Sequence, residues 1–212
     1  MPAAKIKALF SFAMWLFSAA AAFAADSTED IRLRIGAGDP EAGRSKIGIC
    51  KVCHSVDGTG KQENYPNLAG QYAEYILKQL HDFRSGTRKD PMMSAMVQSA
   101  GNEQDLADIA AYYASLEQMD GGHWFSSREG KKLFEDAEKG CVNCHGDNGK
   151  GIALDQPHGP VIGGQHKVYL VKQLKDFREG RRTNDPSGVM AHLAATMSDD
   201  EIELLSRYIS GL

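Results

Sequence analysis

The pentapeptides CKVCH, residues 50–54, and CVNCH, residues 141–145, contain all four cysteines of a 212-residue chain. They belong to a longer self-similarity. GQYAEYILKQLHDFRSGTR, residues 70–88, is repeated as GQHKVYLVKQLKDFREGRR, residues 164–182. NEQDLADIAAYYASL from Asn102 is repeated as SDDEIELLSRYISGL from Ser198. The offsets are 91, 94 and 96 residues, so the copies differ only by small loop insertions. An internal repeat of this length means two homologous lobes, expected at 25–117 and 124–212, with a linker at 118–123. Each lobe carries helical periodicity and no alternating strand pattern, which predicts an all-α fold. Tyr72, Ile76, Leu80 and Phe83 form one stripe, with Gly86 placed to stop the helix, and Leu170, Leu174 and Phe177 repeat it before Gly180. Leu106, Ile109, Tyr113 and Leu116 form the stripe of a last helix, matched by Ile202, Leu205, Ile209 and Leu212. Ser198 and Glu201 make a capping box. A single helix is expected to lead into each cysteine motif, near 39–53 and 126–144.

Residues 1–24 carry Lys5 and Lys7, a short apolar run and an Ala22-Phe23-Ala24 ending, the pattern of a cleaved secretory signal peptide. Its loss would take the formal net charge from −4 to −6. An exported acidic chain without a basic run is a poor nucleic-acid binder. Export also makes disulfides an option for the four cysteines.

Several chemistries use C-x-x-C. A zinc ribbon brings two pairs to one metal, usually about 15–20 residues apart, whereas these pairs lie in separate lobes. A dithiol redox site needs a βαβ setting. Two local disulfides leave both histidines unexplained. The remaining chemistry is covalent haem attachment, in which two thiols add to the vinyl groups and the next residue, histidine, reaches the iron. On a helix, positions i and i+3 share a face and i+4 lies beside them, which suits two tethers and a ligand. Cys50, Cys53 and His54 would hold one haem c, and Cys141, Cys144 and His145 a second. A lobe of about 90 residues has a small core, which a bulky group can complete.

A second axial ligand should come from the loop between the two matched helices. Thioether sulfur suits electron-transfer haems. In the second lobe Met190 and Met197 are available. Met197 sits directly before the helix cap, where it would pack as a staple against Ile202, leaving Met190 for iron; His192 is better read as a solvated loop residue. In the first lobe, counting back from the cap at Asn102 favours Met93, ahead of Met92 and then Met96. Arg84 and Arg178 close matched helices, where a cation is favoured; haem propionates or inter-lobe carboxylates are the alternative partners. His81, His123, His158 and His166 have no partner at ligand spacing.

Two lobes, each with C-x-x-C-H, a P-x-L/I-x-G-Q stretch (PNLAGQ, PVIGGQ), a KQLxDFRxG helix and a methionine loop, resemble the dihaem cytochrome c4 family over essentially the whole chain after residue 24. The resemblance implies two tandem class I cytochrome c domains, each a few short helices wrapped around a covalently attached haem. It implies His54 with Met93 and His145 with Met190 as axial pairs. In mono-haem class I cytochromes a proline carbonyl fixes the histidine ring, which here points to Pro66 and Pro160. It further implies a periplasmic electron carrier rather than an enzyme. Its partners would be redox proteins, a donor such as a quinol-cytochrome c reductase or dehydrogenase and an acceptor such as a terminal oxidase, and peripheral membrane association is compatible. The alternatives are a cytochrome subunit of a dehydrogenase, for example a sulfur-oxidising flavoprotein, and a dihaem enzyme with one labile axial ligand.

Overall fold

The computed structural model describes residues 38–122, 127–151 and 159–212. The expected signal peptide, His123 and His158 lie outside them. Among the described residues every regular element is helical. The first lobe contains α1 (Pro40–Lys46), α2 (Lys51–His54), α3 (Ala73–Ser85), α4 (Pro91–Gln98) and α5 (Glu103–Ala114). The second contains α6 (Arg128–Phe134), α7 (Cys141–His145), α8 (Lys167–Arg178), a 3-10 turn at Pro186–Gly188, α9 (Val189–Ala195) and α10 (Asp199–Ser210). No helix among them is long and apolar enough to cross a membrane.

The first and last helices of each lobe pack together, α1 on α5 and α6 on α10, while α3 packs on α5 and α8 on α10. Glycine permits this packing. A Cβ on Gly43 would stand 2.0 Å from the Asp108 carbonyl oxygen, and one on Gly130 would stand 2.3 Å from that of Leu204. The predicted stripes form the cores: Ile76, Leu80, Phe83, Leu106, Ile109 and Tyr113 in the first lobe, and Leu170, Leu174, Ile202, Leu205 and Ile209 in the second. A motif cysteine and a helical methionine pack against each core, Cys50 and Met93 on the first and Cys141 and Met190 on the second.

The capping box at Ser198 and Glu201 is present, and Asn102 with Asp105 forms its counterpart. Gly86 ends α3 in the left-handed conformation, with φ 80°. The expectation of one helix leading into each cysteine motif needs correction. Each segment breaks into two short helices, with turns near 47–50 and 136–139. The second piece is thereby re-aimed. In the first lobe Ile47 is buried at the break, so the bend itself is packed.

The paired cysteine-histidine sites and the seam between them

Each cysteine motif ends on a buried imidazole. His54 is 5% exposed and His145 6%. His54 Nδ1 donates to the carbonyl of Pro66 at 2.9 Å, and His145 Nδ1 to that of Pro160 at 2.8 Å. A carbonyl only accepts, so Nδ1 carries the proton and Nε2 keeps its lone pair for a metal. Desolvation holds both imidazoles below the usual histidine pKa, partly opposed by the bond to the proline carbonyl.

The four cysteine side chains are partly buried, and no disulfide joins them. Burial pushes Cys50 up to about 11 and raises Cys141. A nitrogen donor with a fixed tautomer and two thiols within one helical turn of it fit a covalently bound haem, and the methionine packed on the same core fits its thioether donor.

Of the first-lobe methionines, Met92 is 50% exposed and Met96 42%, while Met93 packs against the same core as Cys50. In the second lobe Met197 is 5% exposed inside the cluster that contains Ile202, and Met190 packs on that cluster's margin with Cys141. The segment expected as a loop is helical at both methionines, Met93 in α4 and Met190 in α9, because the aspartate of an Asp-Pro pair holds the backbone N–H groups there. Asp90 Oδ1 accepts from the N–H groups of Met92 and Met93 at 3.2 and 3.1 Å. Asp185 Oδ2 accepts from Met190 and Ala191 at 2.7 and 3.3 Å, across a turn in which Ser187 takes φ 61°.

Arg84 and Arg178 pair within their own lobes. Arg84 bonds to Glu103 and to the carbonyls of Val97 and Gly101. Arg178 bonds to Asp199 and the carbonyl of Met197. His192 is exposed, His81 lies 3.1 Å from Glu103, and His166 Nδ1 meets the carbonyls of Gln62 and Tyr65 in the other lobe.

The repeated Gly-Gln and the arginine that closes each long repeat have no role that local sequence patterns assign. Both build the seam between the lobes. Arg88 and Arg182 are each 8% exposed. Arg88 donates to Gln79 at 2.6 Å, Tyr169 at 3.0 Å and Gln173 at 2.6 Å. Arg182 donates to Gln173 at 2.8 Å, Asn184 at 2.9 Å and Tyr75 at 3.0 Å. Each guanidinium also stacks on a phenylalanine of its own lobe, 4.6 Å from the centroid of Phe83 and 4.4 Å from that of Phe177. The identical letters at 79 and 173, and at 88 and 182, were the available signal. A polar residue repeated on an otherwise apolar helix face needs a buried partner.

A second set of bonds crosses beside the histidines. Gln165 Oε1 accepts from the Asn67 N–H at 2.8 Å and Nε2 donates to the Asn67 carbonyl at 3.0 Å. Gln71 does the same to Val161, at 3.0 and 2.8 Å. The glycine before each glutamine has positive φ, 64° at Gly70 and 80° at Gly164, and a Cβ there would strike Gln118 or Asp120.

A sequence profile of the family described as Cytochrome c matches residues 48–117 and 127–212. Cytochrome c4 of Stutzerimonas stutzeri is 42% identical over 192 residues, covering 83% of this chain and 90% of that one. The crystal structure of reduced recombinant cytochrome c4 from Pseudomonas stutzeri aligns with TM-score 0.75 at 42% identity, over 83% of this chain and all of that one. A thiosulfate dehydrogenase electron acceptor of Stutzerimonas stutzeri (strain A1501) is 34% identical, over 77% of this chain and 78% of its own length.

Proposed function

For a chain that belongs to the cytochrome c family, is of the dihaem cytochrome c4 type and carries two covalently bound haem c groups, we propose a periplasmic role as a carrier of single electrons between respiratory redox proteins, toward a terminal oxidase. The haems supply reversible one-electron iron chemistry. The protein's part is to tether them through Cys50, Cys53, Cys141 and Cys144, to ligate through His54 and Met93 and through His145 and Met190, and to keep water away. The proposed division of the chain is a signal peptide at 1–24, cytochrome c domains at 25–117 and 124–212, and a linker at 118–123. The observation that carries the reading is that a motif cysteine and a partly buried methionine, Met93 or Met190, pack against the same core in each lobe. With His54 and Met93 holding one iron and His145 and Met190 the other, no position would be open to substrate, and the chemistry would be outer-sphere electron transfer.

A second reading is favoured by the likeness to the thiosulfate dehydrogenase electron acceptor. The chain would then receive electrons as the cytochrome partner of a dehydrogenase. One preparation separates these from the enzyme reading. The secreted protein is expected to hold two haems per chain, and its oxidised form to bind cyanide slowly at both. Rapid cyanide binding at one haem overturns the carrier reading in favour of an enzyme. A dehydrogenase that co-purifies in stoichiometric amount favours the second reading.

The aspartate grip on Met190 gives a further expectation. Charge-assisted hydrogen bonds contribute about 1.5–3 kcal/mol, so Asp185→Ala should let imidazole displace the thioether at roughly tenfold lower concentration. The sulfur-to-iron charge-transfer band of the oxidised protein reports the displacement. Asp185→Asn, which keeps an acceptor oxygen, should fall close to wild type.

A further inference from the structure

The proline carbonyl that holds each histidine and the amide that the opposite lobe's glutamine grips belong to one peptide group. The peptide joining Pro66 to Asn67 accepts from His54 Nδ1 on its oxygen, at 2.9 Å, and donates to Gln165 Oε1 through its nitrogen, at 2.8 Å. The peptide joining Pro160 to Val161 accepts from His145 Nδ1 at 2.8 Å and donates to Gln71 Oε1 at 3.0 Å. Both chains of bonds are enclosed: Gln71 and Gln165 are each 4% exposed, Asn67 8% and Val161 1%. Each glutamine is itself held. Its Oε1 also accepts from the next residue's N–H, at 3.1 Å for Tyr72 and 2.9 Å for His166.

We propose that Gln165 is a positioning residue for His54 and Gln71 for His145, so that each lobe sets the electron-donating strength of the other lobe's axial imidazole through a single peptide. The proposal rests on the reading that these histidines ligate iron. Hydrogen bonds in series polarise one another. An acceptor on the amide N–H makes the same peptide's carbonyl a stronger acceptor, which draws the Nδ1 proton and makes the imidazole a stronger donor. A stronger donor favours ferric over ferrous iron. Removing Gln165 therefore makes the first lobe easier to reduce, and removing Gln71 does so for the second. The effect is crossed: the responding haem is not in the lobe that carries the substitution.

The test uses the secreted dihaem protein. Proton and nitrogen resonances of both Nδ1–H groups are assigned in the reduced form, and the partition of one electron between the lobes is followed during titration. In Gln165→Leu, exchange of the His54 Nδ1 proton with solvent should accelerate about tenfold, the scale of one buried hydrogen bond, while that of His145 stays within about twofold. The electron partition should move at least about threefold toward a reduced first lobe, a fraction of that same bond. Gln71→Leu should mirror both results. Gln165→Met replaces the leucine variant if the latter fails to fold. Tyr72→Phe removes a cross-lobe bond to the Lys150 carbonyl and should leave both imidazole signals unchanged. If each glutamine variant alters its own lobe, or both lobes equally, or if Tyr72→Phe gives the same pattern, the proposal is overturned. If the wild-type imidazoles lack the ring-current shifts of iron ligands, the ligation reading falls and takes this proposal with it; normal shifts with an uncrossed response overturn this proposal alone.

Discussion

Met190→Ala is expected to leave both haems attached and to remove the thioether signature from one. Attachment depends on Cys141 and Cys144, which the substitution does not touch. What is lost is the sulfur presented from the margin of the second core. The vacated position would take water or a stray ligand, giving a high-spin or ligand-replaced iron and rapid cyanide binding at that haem. Because thioether ligation raises the potential, the second haem should also become harder to reduce. The shift should be on the order of a tenth of a volt or more, within the ~0.8 V that axial ligands span. The first haem should keep its spectrum. An unchanged charge-transfer band would remove Met190 from the iron. Met93→Ala is the matching experiment for the first lobe, with Met92→Ala as its control, since Met92 is half exposed.

The largest loss of stability should come from Arg182→Ala. Its guanidinium is the donor for Gln173, Asn184 and Tyr75 and covers the ring of Phe177. Truncation leaves these buried acceptors without that donor, at about 1–3 kcal/mol for each one left unsatisfied. Arg88 still donates to Gln173, so the net loss is expected to be about 3 kcal/mol. For a chain of this size that corresponds to a fall of roughly 6–12 °C in the unfolding midpoint. Heating followed by haem absorption and far-ultraviolet dichroism checks it. A midpoint within about 2 °C of wild type, on the same scale, would mean that the seam re-forms without the arginine.

Much of this was legible in the sequence because helix signals are local. The apolar stripes at Tyr72–Phe83 and Ile202–Ile209, the stop at Gly86 and the box at Ser198 each depend on residues a turn or so apart. The two cysteine-histidine pentapeptides needed only their own spacing. The break between α1 and α2 was missed because Ile47 continues a helical stripe by spacing, while its burial at the turn depends on tertiary packing. The seam was missed for a related reason. Gln71, Gln165, Arg88 and Arg182 find their cross-lobe partners about 80–110 residues away, and no local pattern announces a bond of that separation. Their only trace was identity between the copies.

The glutamine bonds have the form i to j and j to i, which is how two identical subunits meet across a two-fold axis. Here both halves belong to one polypeptide, so association between them is intramolecular and does not depend on dilution. A pair of separate chains making the same contacts would come apart when scarce. Fusion through a short connector raises the local concentration of each half toward the other to the millimolar range. The two lobes, and with them the two redox centres, therefore stay in register in the thinnest of solutions.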